Sequence, residues 1–201
     1  MRIETLEQLH QLYPTPSARA VGKELRYLDH HMRNFLKRSP LVVISTVGSN
    51  GSTDASPRGG DPGFVQVSSK GQLLLPDYKG NNRLDSLRNI VETGSLGLLV
   101  FVPGVNELLR VNGTAFLTND EAYLKQCTYQ NHPPKTVIVM EVQEAFLHCA
   151  KALMRSNFWS PEAQIDRGEL PTMGEMLKDQ LGSLEPPETQ TEMEARYQED
   201  L

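Results

Sequence analysis

The spacing of apolar positions along this 201-residue chain changes several times, and each change marks a predicted element. Between Leu6 and Leu36 the repeat is three or four residues, so that Leu25, Leu28, Met32, Phe35 and Leu36 share one face of a helix. Pro14 and Pro16 end a first short helix, and Ser17 stands where a capping side chain starts a second. Leu41–Val47 then reads as a buried strand. Asn50-Gly51 is a strong hairpin signal, because both residues tolerate positive φ, and residues 52–57 supply the antiparallel partner. The loop Gly59-Gly60-Asp61-Pro62-Gly63 leads to short strands at 64–67 and 72–75, with a turn at 68–71 between them. Residues 83–92 form the clearest central helix: Leu84, Leu87, Ile90 and Val91 lie on one face, and Gly94 occupies the place of a left-handed terminator.

Strands resume at 95–102 and 107–118 on either side of Pro103-Gly104. A helix at 121–126, a Pro133-Pro134 break, a strand at 136–142 and an amphipathic helix over 145–158 follow. A peripheral helix is expected after Pro171. Seven short strands at hairpin spacing with few helices predict a mainly β (α+β) antiparallel barrel with peripheral helices, not a doubly wound parallel sheet. The expected organisation is a helical N-terminal segment packed on the barrel (1–38), the barrel domain (39–182) and an acidic, flexible tail (183–201).

Composition narrows the function. The longest apolar stretches fall far short of the roughly 20 residues of a membrane-spanning helix. The N-terminus carries no apolar run before a small-residue cleavage site, so a soluble, cytoplasmic protein is expected. Cys127 and Cys149 lack any metal-ligand spacing, and His30-His31 has no third ligand nearby; no metal site is expected. The net charge of -5 resides entirely in residues 183–201, where six acids face Arg196, which leaves a neutral body without the basic footprint of a nucleic-acid binder. No GxSxG, HExxH, Walker or GxGxxG pattern is present, and adjacent His148 and Cys149 point to different sides of a helix. No side chain is assigned as catalytic acid or base.

Three segments carry candidate chemistry. In Pro76-Asp77-Tyr78-Lys79-Gly80-Asn81-Asn82-Arg83 a strand runs through a turn into a helix whose first N–H groups form an anion site. Arg83 falls in the first turn, where a cation is disfavoured by roughly 0.3–1 kcal/mol unless an anion lies between it and the helix. A phosphate would meet that need; a simple cap, with Asn82 as the capping residue and Asp85 three positions on, is the competing explanation. In Ser56-Pro57-Arg58-Gly59-Gly60-Asp61-Pro62-Gly63 the glycines let backbone N–H groups approach a flat or charged ligand, while Arg58 reaches a phosphate. An ordinary wide hairpin connection explains the same residues. In the third, Lys151 and Arg155 are i, i+4 neighbours whose repulsion a bound anion or an acidic surface would relieve, or they form a solvated basic face. Trp159, the sole tryptophan, either stacks on a flavin ring or seals a contact.

Taken together, residues 56–63, Leu74-Leu75-Pro76-Asp77, residues 80–90, Leu109-Arg110-Val111-Asn112-Gly113 and residues 146–159 resemble a bacterial subgroup of the pyridoxamine 5'-phosphate oxidase-related FMN-binding proteins. The resemblance runs from about Tyr13 to Met176. It implies a split β-barrel homodimer with FMN in the clefts between subunits. Carried onto this chain, it implies Arg58, Asn82 and Arg83 as phosphate ligands. It brings the strand ending near Arg58 and the loop ending at Pro76-Asp77 to the ring and ribityl chain, and counts Ser56, Gly59, Asp61 and Asn81 among the cofactor-binding residues. Lys151, Arg155 and Trp159 would approach from the partner subunit. The chain departs from true pyridoxamine phosphate oxidases in two places. The Arg-x-x-x-x-Lys strand motif is replaced by Ser56-Pro57-Arg58-Gly59, and no Arg-Leu-x-x-Arg motif stands near the end, so vitamin B6 oxidation is not expected. The resulting expectation is an FMN-dependent oxidoreductase acting on a small-molecule substrate. The alternatives are an FMN-holding or sensing module without turnover, or a barrel binding haem or a deazaflavin.

Overall fold

A computed structural model describes residues 2–198. Its seven strands are β1 (Leu41–Val47), β2 (Thr53–Gly59), β3 (Gln66–Val67), β4 (Leu73–Asp77), β5 (Ser95–Phe101), β6 (Leu108–Thr118) and β7 (Thr136–His148). They form one antiparallel sheet in the order β2-β1-β5-β6-β7-β4-β3. The alternation read in the sequence sets the inner face: Val42, Ile44 and Thr46 of β1 are buried, whereas Leu41 and Ser45 are exposed. The sheet curls into a split barrel. β2 and β4 are five strand steps apart, about 24 Å in a flat sheet, yet Arg58 of β2 lies 3.8 Å from Asp77 of β4.

The interior is filled by Val42, Ile44, Leu73, Leu75, Leu98, Val100, Leu109, Val111, Ile138 and Met140. Helix α3 (His30–Leu36) closes it with Met32 and Leu36, and α4 (Asp85–Thr93) with Ile90. Each such side chain contributes roughly 1.5–3 kcal/mol by leaving water. Outside the barrel, Leu74, Val137 and Val139 pack with Cys127 at the end of α5 (Glu121–Gln126), and burial pushes the Cys127 thiol up to about 11. Short helices α1 (Leu6–Leu12) and α2 (Ala18–Gly22, capped by Ser17) precede α3. Three more, α6 (Lys151–Ser156), α7 (Met173–Leu181) and α8 (Gln190–Gln198), follow β7.

Several elements differ from expectation. Residues 145–148 continue β7, because β6 offers partners as far as Leu108, and a bulge at Asn112/Gly113 bends the pair without ending it. The helix expected over 145–158 is therefore only α6. Leu25 is not helical: it exchanges two backbone hydrogen bonds with Ala145, of 2.9 and 2.7 Å. At the first hairpin only Gly51 takes positive φ (82°), closing a three-residue loop between Gly48 and Ser52. Within the acidic tail α8 is helical but buries nothing, and Arg196 grips Glu188 through two bonds of 3.0 and 2.8 Å. Residues 199–201 of that tail lie outside the described residues. Among the described residues no helix is long and apolar enough to cross a membrane.

A Cβ at Gly113 would sit 1.9 Å from the carbonyl oxygen of Glu141, so Gly113→Ala should cost about 2–3 kcal/mol. Gly80→Ala, with nothing within 4 Å, should leave the urea midpoint unchanged. Because α7 and α8 contain no buried residue, removing residues 184–201 should leave the thermal unfolding midpoint of the barrel in place; a fall of many degrees would show that the tail is structural.

Candidate functional site

The curl brings an unusual strand face to the seam. Directly opposed residues of an antiparallel pair share a face, and the register sets Asp54 against Thr46, Ser56 against Ile44 and Arg58 against Val42. β2 therefore presents three polar side chains on the core side of the sheet, where an antiparallel strand ordinarily presents apolar ones. Across the seam stands Asp77, on the same side as Leu73 and Leu75 and directly opposite Thr136. Ser86, buried in the first turn of α4, completes a polar slot.

Within the slot, Asp54 accepts hydrogen bonds from the hydroxyls of Ser56 (3.1 Å) and Ser86 (2.5 Å). Arg58 donates one bond through Nη1 to the carbonyl of Pro57 (2.9 Å). Its Nε is 3.8 Å from Asp77, beyond hydrogen-bond length, with the two side chains 23% and 19% exposed. The hydroxyl of Thr136 is buried without a partner among the described residues. Burial pushes the Asp77 carboxyl above the ordinary aspartate range, and the charges of Arg58 and Lys135 pull only partly back.

From Asp77 the chain turns toward α4. Tyr78 donates its hydroxyl to the carbonyl of Cys127 (2.8 Å), Asn81 accepts the N–H of Arg83 (3.0 Å), and Asn82 takes positive φ (56°). Asn82 is not the cap. That position falls to Leu84, which offers no capping side chain, and α4 begins at Asp85. Arg83 thus precedes the helix, and the anion beside it is Asp85, 2.9 Å from Nε. The Arg83 side chain is 78% exposed and overlooks a cleft of about 410 Å³, lined also by Arg88, Asn89, Ser49 and Asp54.

The glycine loop is fastened to the protein itself. Gly60 donates to the carbonyl of Pro40 and Gly63 to that of Ser39, both at 3.1 Å, so these two N–H groups are not offered to a ligand. Phe64 donates to the carbonyl of Asp61 (2.9 Å) around Pro62 and Gly63 (φ 91°), the arrangement of a type II turn. Asp61 accepts the hydroxyl of Tyr129. Gly59 pairs with Leu41 at the end of β2, and Pro76 is buried opposite Val137.

Lys151, Arg155 and Trp159 stand elsewhere. Lys151 and Arg155 are exposed on α6, and the indole of Trp159 donates to the carbonyl of Val105 (2.9 Å) with Phe158 edge-on at 4.9 Å. Asp77 opposes the first residue of β7, whereas α6 follows its last; these 13 residues span roughly 40 Å of strand path. One chain therefore gathers Ser56, Arg58 and Asp77 in the seam and Asn81, Asn82 and Arg83 beside it, but not the third segment. Asp54, Ser86 and Thr136 were not singled out from the sequence. The polar alternation Asp54, Ser56, Arg58 was the available signal for the first.

The raised Asp77 value has a testable sign. The folded state holds that proton more tightly than the unfolded chain, so the contribution to stability is present in acid and lost as pH rises through the folded value. Asp77→Asn should therefore be more stable than the wild type to urea at neutral pH, with the difference vanishing below the ordinary aspartate range. A less stable variant at neutral pH would mean that the Arg58 contact outweighs burial.

HupZ of Group A Streptococcus superposes with a TM-score of 0.50 at 17% identity, over 60% of this chain and 93% of its own. A candidate pyridoxamine 5'-phosphate oxidase from Lactobacillus delbrueckii gives 0.46 at 23% identity, over 62% and 98%. HutZ, the heme storage protein of Vibrio cholerae, gives 0.41 at 12% identity, over 61% and 94%. At 17% identity the likeness to HupZ concerns the fold alone. No curated protein matches the sequence. The family model described as Pyridoxamine 5'-phosphate oxidase matches residues 28–149, from the start of the barrel's helical plug to the end of β7. The match spans more than half of the chain, which therefore belongs to the pyridoxamine 5'-phosphate oxidase family.

Proposed function

We propose that this chain binds FMN in the polar seam, in a site completed by a second copy, and works as an FMN-dependent oxidoreductase on a small molecule. The observation that carries the reading is Arg58: a guanidinium less than a quarter exposed, on the inner face of an edge strand, with its nearest carboxylate beyond hydrogen-bond reach. An enclosed cation with unused donors is unfavourable unless an anion meets it, and a phosphate forms the strong, charge-assisted bonds it lacks. Arg58, Asn82 and Arg83 are the phosphate ligands of this reading. Ser56, Gly59 and Asp61 line one side of the flavin and Pro76, Asp77 and Asn81 the other. The unpartnered Thr136 hydroxyl fits a polar ligand entering the same slot.

Lys151, Arg155 and Trp159 come from the second chain in this reading, since their own chain holds them at the far end of β7. Because the indole N–H is already bonded to Val105, Trp159 offers a ligand its ring rather than a donor. On the outer face of the sheet, Ser45, Ala55, Gly97 and Gly113 help line a hollow of about 520 Å³, and small side chains there let another backbone approach closely. Bound FMN supplies the electron transfer. The chain supplies position and charge and excludes water.

Titration of the apo protein with FMN and with riboflavin tests the site. Arg58→Ala and Arg83→Ala should each weaken FMN binding roughly ten- to hundredfold while leaving riboflavin, which lacks the phosphate, nearly unchanged. Equal FMN affinity in folded variants and wild type would remove the phosphate assignment. Turnover is tested by adding NADH or NADPH without oxygen. Bleaching of the flavin is expected, whereas an unchanged yellow spectrum would identify a flavin-holding module and a red-brown protein a haem binder.

A further inference from the structure

A second basic hollow, sharing no residue with the seam, lies between α3 and the free edge of the sheet. Arg33, Leu36 and Lys37 form one wall and Val65, Gln66 and Val67 the other, around about 310 Å³. β3 ends the sheet and, among the described residues, pairs only with β4. Ser68 donates its N–H to Gln72 (2.9 Å), so the alternation of antiparallel pairing makes Gln66–Leu74 the next hydrogen-bonded pair. The backbone groups of Val65 and Val67 therefore face away from β4. Val65 is only 3% exposed, yet its N–H and C=O have no hydrogen-bond partner among the described residues. Buried backbone groups are nearly always paired.

The facing helix is cationic. Arg33 commits Nε to the carbonyl of Leu28 (3.1 Å), and both terminal nitrogens keep their donors. Lys37 lies one turn further on. Neither forms an ion pair among the described residues. Like charges at i, i+4 repel, and the carboxylate of the adjacent glycine loop, Asp61, is taken by Tyr129.

We infer that this hollow binds the phosphate group of a small phosphorylated molecule. A dianion matches the two cations, where a carboxylate would leave one unmatched, and its oxygens accept from the backbone N–H groups turned out of the sheet. Half-buried Val67 offers an apolar contact for the rest of the molecule, and the volume sits at the small end of ligand pockets. The inference is independent of the flavin reading.

The test follows backbone amide resonances of the purified protein while inorganic phosphate replaces chloride at constant ionic strength. Saturable shifts at Val65 and Val67 are expected, with affinity about tenfold lower in Lys37→Ala. That lysine is exposed, so its removal does not endanger the fold. Drift without saturation, equal affinity in Lys37→Ala, or shifts confined to Arg58 and Arg83 would each overturn the proposal; the last would leave the flavin site standing.

Discussion

The flavin site proposed for this protein depends on the sheet curling far enough to bring β2 against β4. The contact of Arg58 with Asp77 marks that closure, and it joins strands that are neighbours neither in sequence nor in the sheet. It is also weak as an ion pair. At 3.8 Å the two groups attract without a hydrogen bond, and burial still holds the Asp77 carboxyl above its ordinary range. The closure is driven instead by the apolar layer beneath, in which Leu73, Leu75, Ile138 and Met140 meet Val42 and Ile44. The core places two charges together at a seam that they do not themselves stabilise. Such an arrangement is expected where a site is held ready for a ligand.

The asymmetry of the seam follows from β2. Its outward residues Thr53, Ala55, Pro57 and Gly59 are exposed, and its inward residues Asp54, Ser56 and Arg58 are half-buried. On its open side β2 finds no further strand among the described residues. Asp54 links Ser56 to Ser86, and Asn89 bonds Thr46 (2.9 Å), so α4 is fastened over one end of the slot by polar contacts. Arg58, at the other end, commits one donor to the carbonyl of Pro57 and forms no hydrogen bond with the others among the described residues. This division between a satisfied end and an unsatisfied one locates where a charged ligand group is needed.

Most of the fold was legible in the sequence, because strand alternation and turn residues are local signals. Leu41–Val47, Glu121–Gln126, the Ser17 cap and the Gly94 terminator all appear where the pattern places them. Misread segments were those decided by distant partners. Residues 145–148 have an amphipathic pattern that also suits a helix, but β6 captures them as strand. Leu25 fits a helical face and instead bridges Ala145. Of the candidate site, Arg58 and Asp77 could be named from the sequence, but their approach could not. The N–H groups of Gly60 and Gly63 read as free because their acceptors, Pro40 and Ser39, lie about twenty residues earlier in the chain.

The central claim is that each seam is half a site and that a second chain supplies the other half. It rests on the separation of the two candidate segments along β7 and on the preference of cofactor pockets for boundaries between units. Sedimentation velocity of the FMN-loaded protein, recorded both in the protein band and in the flavin band, tests this directly. The account predicts that flavin absorbance travels with a species of twice the chain mass, with one flavin per chain. Flavin sedimenting with a single chain would contradict it.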